Sequence, residues 1–203
     1  MSDVTPTGPS NPTSNIGDHG GSDQGEVNLS KVMGQFAAQF SSGLIDSDGS
    51  PDKVAIGAEV GFIVGLSAQV GGAMDEVCQN QFIPDVKALS SDPSEENFDK
   101  VKGDLGKMAV VAPTISTSDL TGFLVSSLGK ASDEIKDGNY DAAWGIIDAV
   151  TVTITSSGVY SDQTMEIATS LNNSALSLAW GDGKTEPGKA QAQIEILIDS
   201  LEK

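Results

Sequence analysis

The chain has 203 residues, enough for one domain with a sizeable core or for one domain and a tail, and its formal net charge is −18. All 11 basic residues are lysines, so the chain lacks the guanidinium fork that binds phosphate and guanine. This lack and the strongly negative charge exclude nucleic acid as an expected partner and disfavour anionic membrane surfaces. The low aromatic content of 5% indicates that part of the chain stays outside a packed core.

Residues 1–28 are rich in Ser, Thr, Pro, Asn, Gly and Asp, and such a segment cannot bury enough apolar area to offset the entropy lost on ordering. We predict a disordered N-terminal arm. It contains the single histidine, His19, in a glycine-rich stretch that would not position it as a base or a ligand. The first lysine is Lys31, so a secretory signal with a charged start is not expected. The expected location is therefore cytoplasmic, virion-associated or exported by a non-Sec route.

The acidic segment 46–52 invites comparison with a calcium-binding loop. If Gly49 took the sixth position of such a loop, the first and twelfth positions would fall on Leu44 and Ala55, which cannot bind calcium. Ser50 as N-cap, with a proline after it, is instead typical of the start of a helix. We predict no metal site here.

That helix is predicted to run without interruption from Pro51 to Asn80. Its first pattern is a seam of residues that alternate by four and three positions, the heptad spacing that keeps one edge against a partner helix. The seam consists of Ile56, Val60, Ile63, Ser67, Val70, Met74 and Val77.

A second pattern on this helix is a glycine ridge, defined by Gly57, Gly61 and Gly65 at every fourth position. Glycine inside a helix costs about 1 kcal/mol relative to alanine, so three on one face imply a compensating gain. The gain we expect is the close approach of another helix backbone. The predicted interaction residues are Gly57, Gly61 and Gly65 from the ridge and Ile56, Val60, Ile63, Val70 and Met74 from the seam.

The same helix raises the alternative of a membrane span, because residues 54–74 contain only Glu59 and Gln69 as strongly polar side chains. A carboxylate in mid-membrane is costly, and no belt of lysine or tryptophan flanks both ends. We favour a core helix in an assembly and keep conditional membrane insertion as the alternative. The single cysteine, Cys78, is interpreted as a small buried residue, and it permits no internal disulfide.

Beyond a turn predicted near Pro84, the chain repeats caps and apolar stripes at helical spacing. Helices are predicted from about residue 93 to 111, from the caps at residues 116–118 to about 137, around residues 164–178, and from Pro187 to the end. The stretch 136–143, with Gly138 and Asn139 followed by Tyr140, resembles the turn of TPR-like helical hairpins, and we expect a tight helical turn there. No 34-residue period repeats elsewhere. Residues 150–154 have strand-like composition, but no partner strand is evident, so we extend a helix through them.

These elements predict an all-α fold: an antiparallel bundle of about six or seven helices over residues 29–203, with a long central helix and the disordered arm at residues 1–28. The favoured function is a non-catalytic structural or interaction protein that self-associates or binds other protein subunits in a filament, shell or secreted appendage. The alternative is a secreted, membrane-active or translocator-like protein. An enzyme with a carboxylate-only site and a small-ligand binder are less favoured. We predict no catalytic residue and no cofactor.

Overall fold

A computed structural model describes residues 25–40, 52–181 and 185–203. In these ranges the all-α prediction is confirmed, apart from one short two-stranded ribbon. The buried apolar side chains of the described residues form one core. His19, most of the predicted arm and residues 46–51 of the acidic segment lie outside the described residues.

In chain order the elements are β1 (Glu26–Asn28), α1 (Leu29–Gln39), α2 (Lys53–Val70), α3 (Gly72–Val77), a π-helical turn (Cys78–Phe82), α4 (Ile83–Ser91), α5 (Glu95–Val111), β2 (Thr114–Ser116), α6 (Thr117–Asp137), α7 (Tyr140–Ser157), α8 (Asp162–Ala179) and α9 (Pro187–Leu201).

The central helix is α7, which packs against α1, α2, α6 and α8. Most of its residues are buried, although its second half is rich in Val, Thr and Ile. Thr151 Oγ1 donates to the carbonyl oxygen of Ile147 and Thr153 Oγ1 donates to that of Ala149, both at 2.8 Å. These bonds satisfy hydroxyl groups that would otherwise be buried without partners. The predicted helix through residues 150–154 is confirmed.

The predicted continuous helix from Pro51 to Asn80 is wrong. It begins later, at Lys53, where Asp52 rather than Ser50 is the N-cap, and it breaks at Gly71, whose φ is 65° and ψ is −157°. Gly72 also has a positive φ, of 63°. Residues that have a side chain rarely adopt this backbone conformation. The pair of glycines therefore ends α2, and α3 starts in a new direction. The turn expected near residue 84 is also wrong, because helix α4 covers it.

The ribbon pairs β1 with β2 in antiparallel register, with Val27 opposite Ile115. Val27 is fully buried. Asn28 then caps α1, accepting a hydrogen bond from the Ser30 amide at 2.9 Å. The segment 1–28 was predicted to be disordered throughout, but residues 25–28 belong to the fold, because two short strands far apart in sequence satisfy each other's backbone groups.

Helices α2 and α7 run in the same direction, so the bundle is not antiparallel throughout. Near their starts, Ala55 of α2 lies against Gly145 of α7. Further along both helices, Glu59 of α2 and Asp148 of α7 interact electrostatically. The hairpin between α6 and α7 has the predicted tight turn, in which Gly138 adopts a left-handed φ of 80°.

Candidate contact surface on the outer face of α2

The inner face of α2 belongs to the core and packs mainly against α7. Phe62 on this face also lies 6.1 Å, between ring centroids, from Phe36 of α1. The buried residues of the inner face are Ala55, Ile56, Glu59, Phe62, Ile63, Leu66 and Ser67.

The backbones of α2 and α7 approach closely at Gly145. A Cβ atom built on this glycine would overlap the carbonyl oxygen of Ala55 and lie 3.0 Å from the carbonyl carbon of the same residue. This close backbone contact lies on the inner face of α2 and is made by a glycine of α7, not by the glycine ridge. The sequence signal was a lone glycine inside a strongly apolar helix, beside Trp144.

The outer face of α2 carries the glycine ridge. Gly57 and Gly61 are exposed, and a Cβ atom added to either would meet no atom within 4 Å. Val54 is 53% exposed on the same side, and Ala68 is also exposed. From Val54 to the end of α2 the only charged residue is Glu59, which lies on the inner face. The helix thus presents an uncharged face of Gly, Ala and Val to solvent and buries its carboxylate, the reverse of an ordinary surface helix.

Beside this outer face lies a groove of about 340 Å³ between α2 and α6, with α7 at its base. The two walls are antiparallel, because Gln69 Nε2 near the end of α2 donates to the carbonyl oxygen of Asp119 near the start of α6, at 3.2 Å. At that end Phe123 closes the groove, and its Cε2 would lie 3.3 Å from a Cβ on Gly65. Elsewhere the lining includes Val54, Gly61 and Ile146, together with the charged Lys130 and Glu134.

The predicted interaction residues divide between the two faces of α2 and α3. Ile56, Ile63 and Met74 are buried in the core of the same chain, so the predicted role of these three in a contact between subunits is not retained. Val60 and Val70 are partly buried and pack against that core. Gly57 and Gly61 are the predicted residues that remain open to solvent, and Gly65 lines the groove.

A cluster of polar side chains lies on the inner side of α2. Glu59 is 3% exposed, and its Oε2 atom has no hydrogen-bond partner among the described residues. Burial, and then the negative charge of Asp148, hold the pKa of Glu59 well above its ordinary value. Asp148 Oδ1 accepts a hydrogen bond from Asn172 Nδ2 of α8 at 2.7 Å. Burial also raises the pKa of Asp148, an effect that the Asn172 bond opposes.

The remaining candidate for site chemistry is Cys78, in the π-helical turn. It is fully buried, as predicted, and burial raises the pKa of its thiol. Across the described ranges, no group of three or more His, Cys, Asp and Glu side chains is arranged to hold a metal ion.

By length and composition, α2 is the one helix in the described part of the chain that could cross a membrane. Its 18 residues have a mean hydropathy of 1.4, and 39% of them are buried in the fold. Core helices of soluble proteins meet the same criterion. Comparison with known proteins finds no matching family model, curated protein or solved structure.

Proposed function

We propose that this protein is a non-catalytic contact protein that self-associates through the outer face of α2 and the adjoining groove. The observation that supports this most directly is the uncharged outer face of α2. Gly57 and Gly61 are open to solvent there, and the only charge of the helix after Lys53 points into the core. Three glycines on one face lower the stability of the helix, and two of them, Gly57 and Gly61, make no compensating contact inside the fold. A contact with another molecule would supply that compensation.

The proposed occupant of this surface is a second copy of the same chain. Two chains of net charge −18 repel each other, and the repulsion is least where the surface carries no net charge. Lys130 and Glu134 are the charged groove residues, and they lie one helical turn apart on α6. In a two-fold interface the same surface patch of each copy is in contact with the other, so Lys130 of one copy can face Glu134 of the second. This charge pattern is complementary to itself.

The glycine ridge supports a helix as the contacting element. Packed helices are usually about 8–10 Å apart, depending on the side chains at the contact. Glycine removes the side chain on one side, so a second α2 can approach Gly57 and Gly61 closely and gain contact along the ridge. The valines beside the ridge, Val54 and the half-buried Val60 and Val64, would supply apolar area to such a contact.

A membrane is the second candidate partner, favoured by the length and hydropathy of α2. Insertion would require α2 to leave α7, lose the packing of its inner face and carry Glu59 into lipid in neutral form. Self-association requires no such unpacking, since the space above Gly57 and Gly61 on the outer face is already open in the described fold. For this reason we place self-association first.

The test is a comparison of Gly61→Leu with Gly129→Leu by sedimentation velocity over a wide concentration range. Gly129 is an exposed helical glycine of α6 with no atom within 4 Å of an added Cβ, and its spacing from Phe123, Ser127 and Lys130 places it away from the groove. We expect the wild type and Gly129→Leu to form oligomers that dissociate on dilution. Gly61→Leu should remain monomeric and folded, because four added carbon atoms would occupy the space of the partner helix.

Two results would contradict this proposal. One is an oligomer that Gly61→Leu leaves unchanged, which would place the contact on another surface. The other is a wild type that stays monomeric at every concentration. Release of dye from lipid vesicles by that monomer would favour the membrane partner, and its absence would direct the search to other protein subunits.

A further inference from the structure

Two carboxyl groups lie within electrostatic range of each other at the interface between α2 and α7: that of the buried Glu59 and that of the half-buried Asp148. Glu59 comes from the buried face of α2 and Asp148 from the neighbouring α7, one helical turn beyond the contact of Ala55 with Gly145. At that contact the backbones lie too close to admit even a Cβ atom on Gly145, so the two helices are tightly packed beside the carboxyl groups. Two ionised carboxylates here would repel each other in a poorly solvated site.

The surroundings assign different roles to the two groups. Asp148 accepts the hydrogen bond from Asn172, which favours its charged form. Glu59 Oε2 has no hydrogen-bond partner among the described residues, so nothing there favours ionisation of this group. The elements around α2 carry the following charged or titratable groups: Tyr140, Asp141 and Asp148 on α7, Asp75 and Glu76 on α3, the exposed Lys31 on α1, and Asp119, Lys130, Asp133, Glu134, Lys136 and Asp137 on α6. Of these groups, Asp148 is the one that acts on Glu59.

We propose that Glu59 and Asp148 form a proton-binding pair, which fastens α2 to α7 when one proton is held on Glu59 and loosens α2 when that proton passes to solvent. The device is independent of self-association, because it lies on the inner face of α2. Its consequence for the protein is that the helix that carries the exposed glycine ridge is held most firmly under acidic conditions.

The direction of the pH dependence follows from the site. The pKa of Glu59 in the folded chain lies above its ordinary value of 4.5. A carboxyl group of this kind contributes its full stability below the unfolded pKa, and that contribution is lost as the pH rises through the folded pKa. In this window folding takes up one proton at Glu59, and the unfolding equilibrium constant rises by up to about tenfold per pH unit.

The experiment is urea unfolding of the full chain between pH 4.5, the ordinary pKa of the Glu59 carboxyl group, and pH 8. The variants are Glu59→Gln, Asp148→Asn and the exposed control Glu166→Gln. Glu59→Gln keeps the shape of the protonated side chain without its titration. We expect this variant to unfold at a higher urea concentration than the wild type near pH 8, and its pH slope to correspond to one proton fewer. Glu166→Gln should follow the wild type.

Asp148→Asn gives an independent readout. Removing the neighbouring negative charge should lower the pKa of Glu59 in the folded chain, so the fall in stability should end at a lower pH and be smaller than in the wild type. Asp104 on α5 is another buried carboxyl group whose burial raises its pKa, and its contribution is common to all four proteins. Differences between the curves therefore report on the α2–α7 pair.

Amide hydrogen exchange locates the effect in the fold. In the wild type, protection factors of α2 should fall as the pH rises, and in Glu59→Gln they should stay level. The proposal is overturned if Glu59→Gln has the same pH slope as the wild type or unfolds more easily near pH 8. If this variant does not fold, an Asp148→Asn curve that coincides with the wild-type curve overturns it instead.

Discussion

The two faces of α2 are both largely uncharged, but they differ in the size of their side chains. The inner face carries the larger side chains, such as Phe62 and Leu66, and the buried carboxyl group of Glu59. The outer face carries Gly57 and Gly61, with open space above both. Because both faces are largely uncharged, the polarity of the helix does not indicate which side is buried. Side-chain size indicates the buried side, because the larger side chains lie on the inner face. A ridge of small residues is therefore no evidence of a tight contact inside the same chain.

The largest difference between the faces should appear when a large side chain is truncated. Leu66 is fully buried on the inner face, so Leu66→Ala should leave a cavity and lower the free energy of unfolding by about 2–5 kcal/mol. Val54 is 53% exposed, and Val54→Ala should change the free energy of unfolding by no more than about 0.5 kcal/mol. Urea unfolding of both variants at protein concentrations below any association measures the contrast. Equal losses would show that the outer face is also packed within the monomer.

A smaller but more specific effect is expected at the backbone contact of the inner face. A Cβ on Gly145 would overlap the carbonyl oxygen of Ala55, and backbone cannot move aside as a flexible side chain can. Gly145→Ala should therefore lower the free energy of unfolding by about 1–3 kcal/mol, in spite of the better helix propensity of alanine. The matched control is Gly129→Ala, at a helical glycine with open space. A stabilised Gly145→Ala protein would mean that α2 and α7 are further apart than described.

What could be predicted from the sequence was local. Helix boundaries follow from caps that act within a few residues. One is Ser116, whose Oγ accepts the Asp119 amide at 3.0 Å, and another is the left-handed Gly138 that ends α6. Apolar periodicity also placed Ile56 and Ile63 on one face of α2, which is buried. Apolar periodicity did not identify the partner helix, because a seam that packs against a helix of the same chain has the same sequence pattern as one that packs against another chain.

What could not be predicted depends on residues far apart in sequence. The break of α2 falls at Gly71, although Gly57 and Gly61 are the same residue type inside the helix. Two adjacent glycines, which together cost a helix about 2 kcal/mol, were the available signal. The identity of the partner of Gly145 and the pairing of Val27 with Ile115 have no local signal, because each contact needs the whole fold to bring the residues together.

The smallest expected effect on the monomer is at the ridge itself, and its sign separates the two faces most cleanly. A Cβ on Gly57 would meet no atom within 4 Å, so Gly57→Ala has no steric cost in the isolated chain. Alanine loses less backbone entropy than glycine on entering a helix, and the substitution should raise the free energy of unfolding by up to about 1 kcal/mol. The measurement is urea unfolding of dilute protein, with Gly129→Ala as an equally open glycine on α6. If Gly57→Ala lowers stability while Gly129→Ala raises it, something packs on the ridge even in the dilute chain. If both raise stability, the glycine at position 57 lowers the stability of the monomer, which is the result expected of a residue whose contact lies outside the monomer.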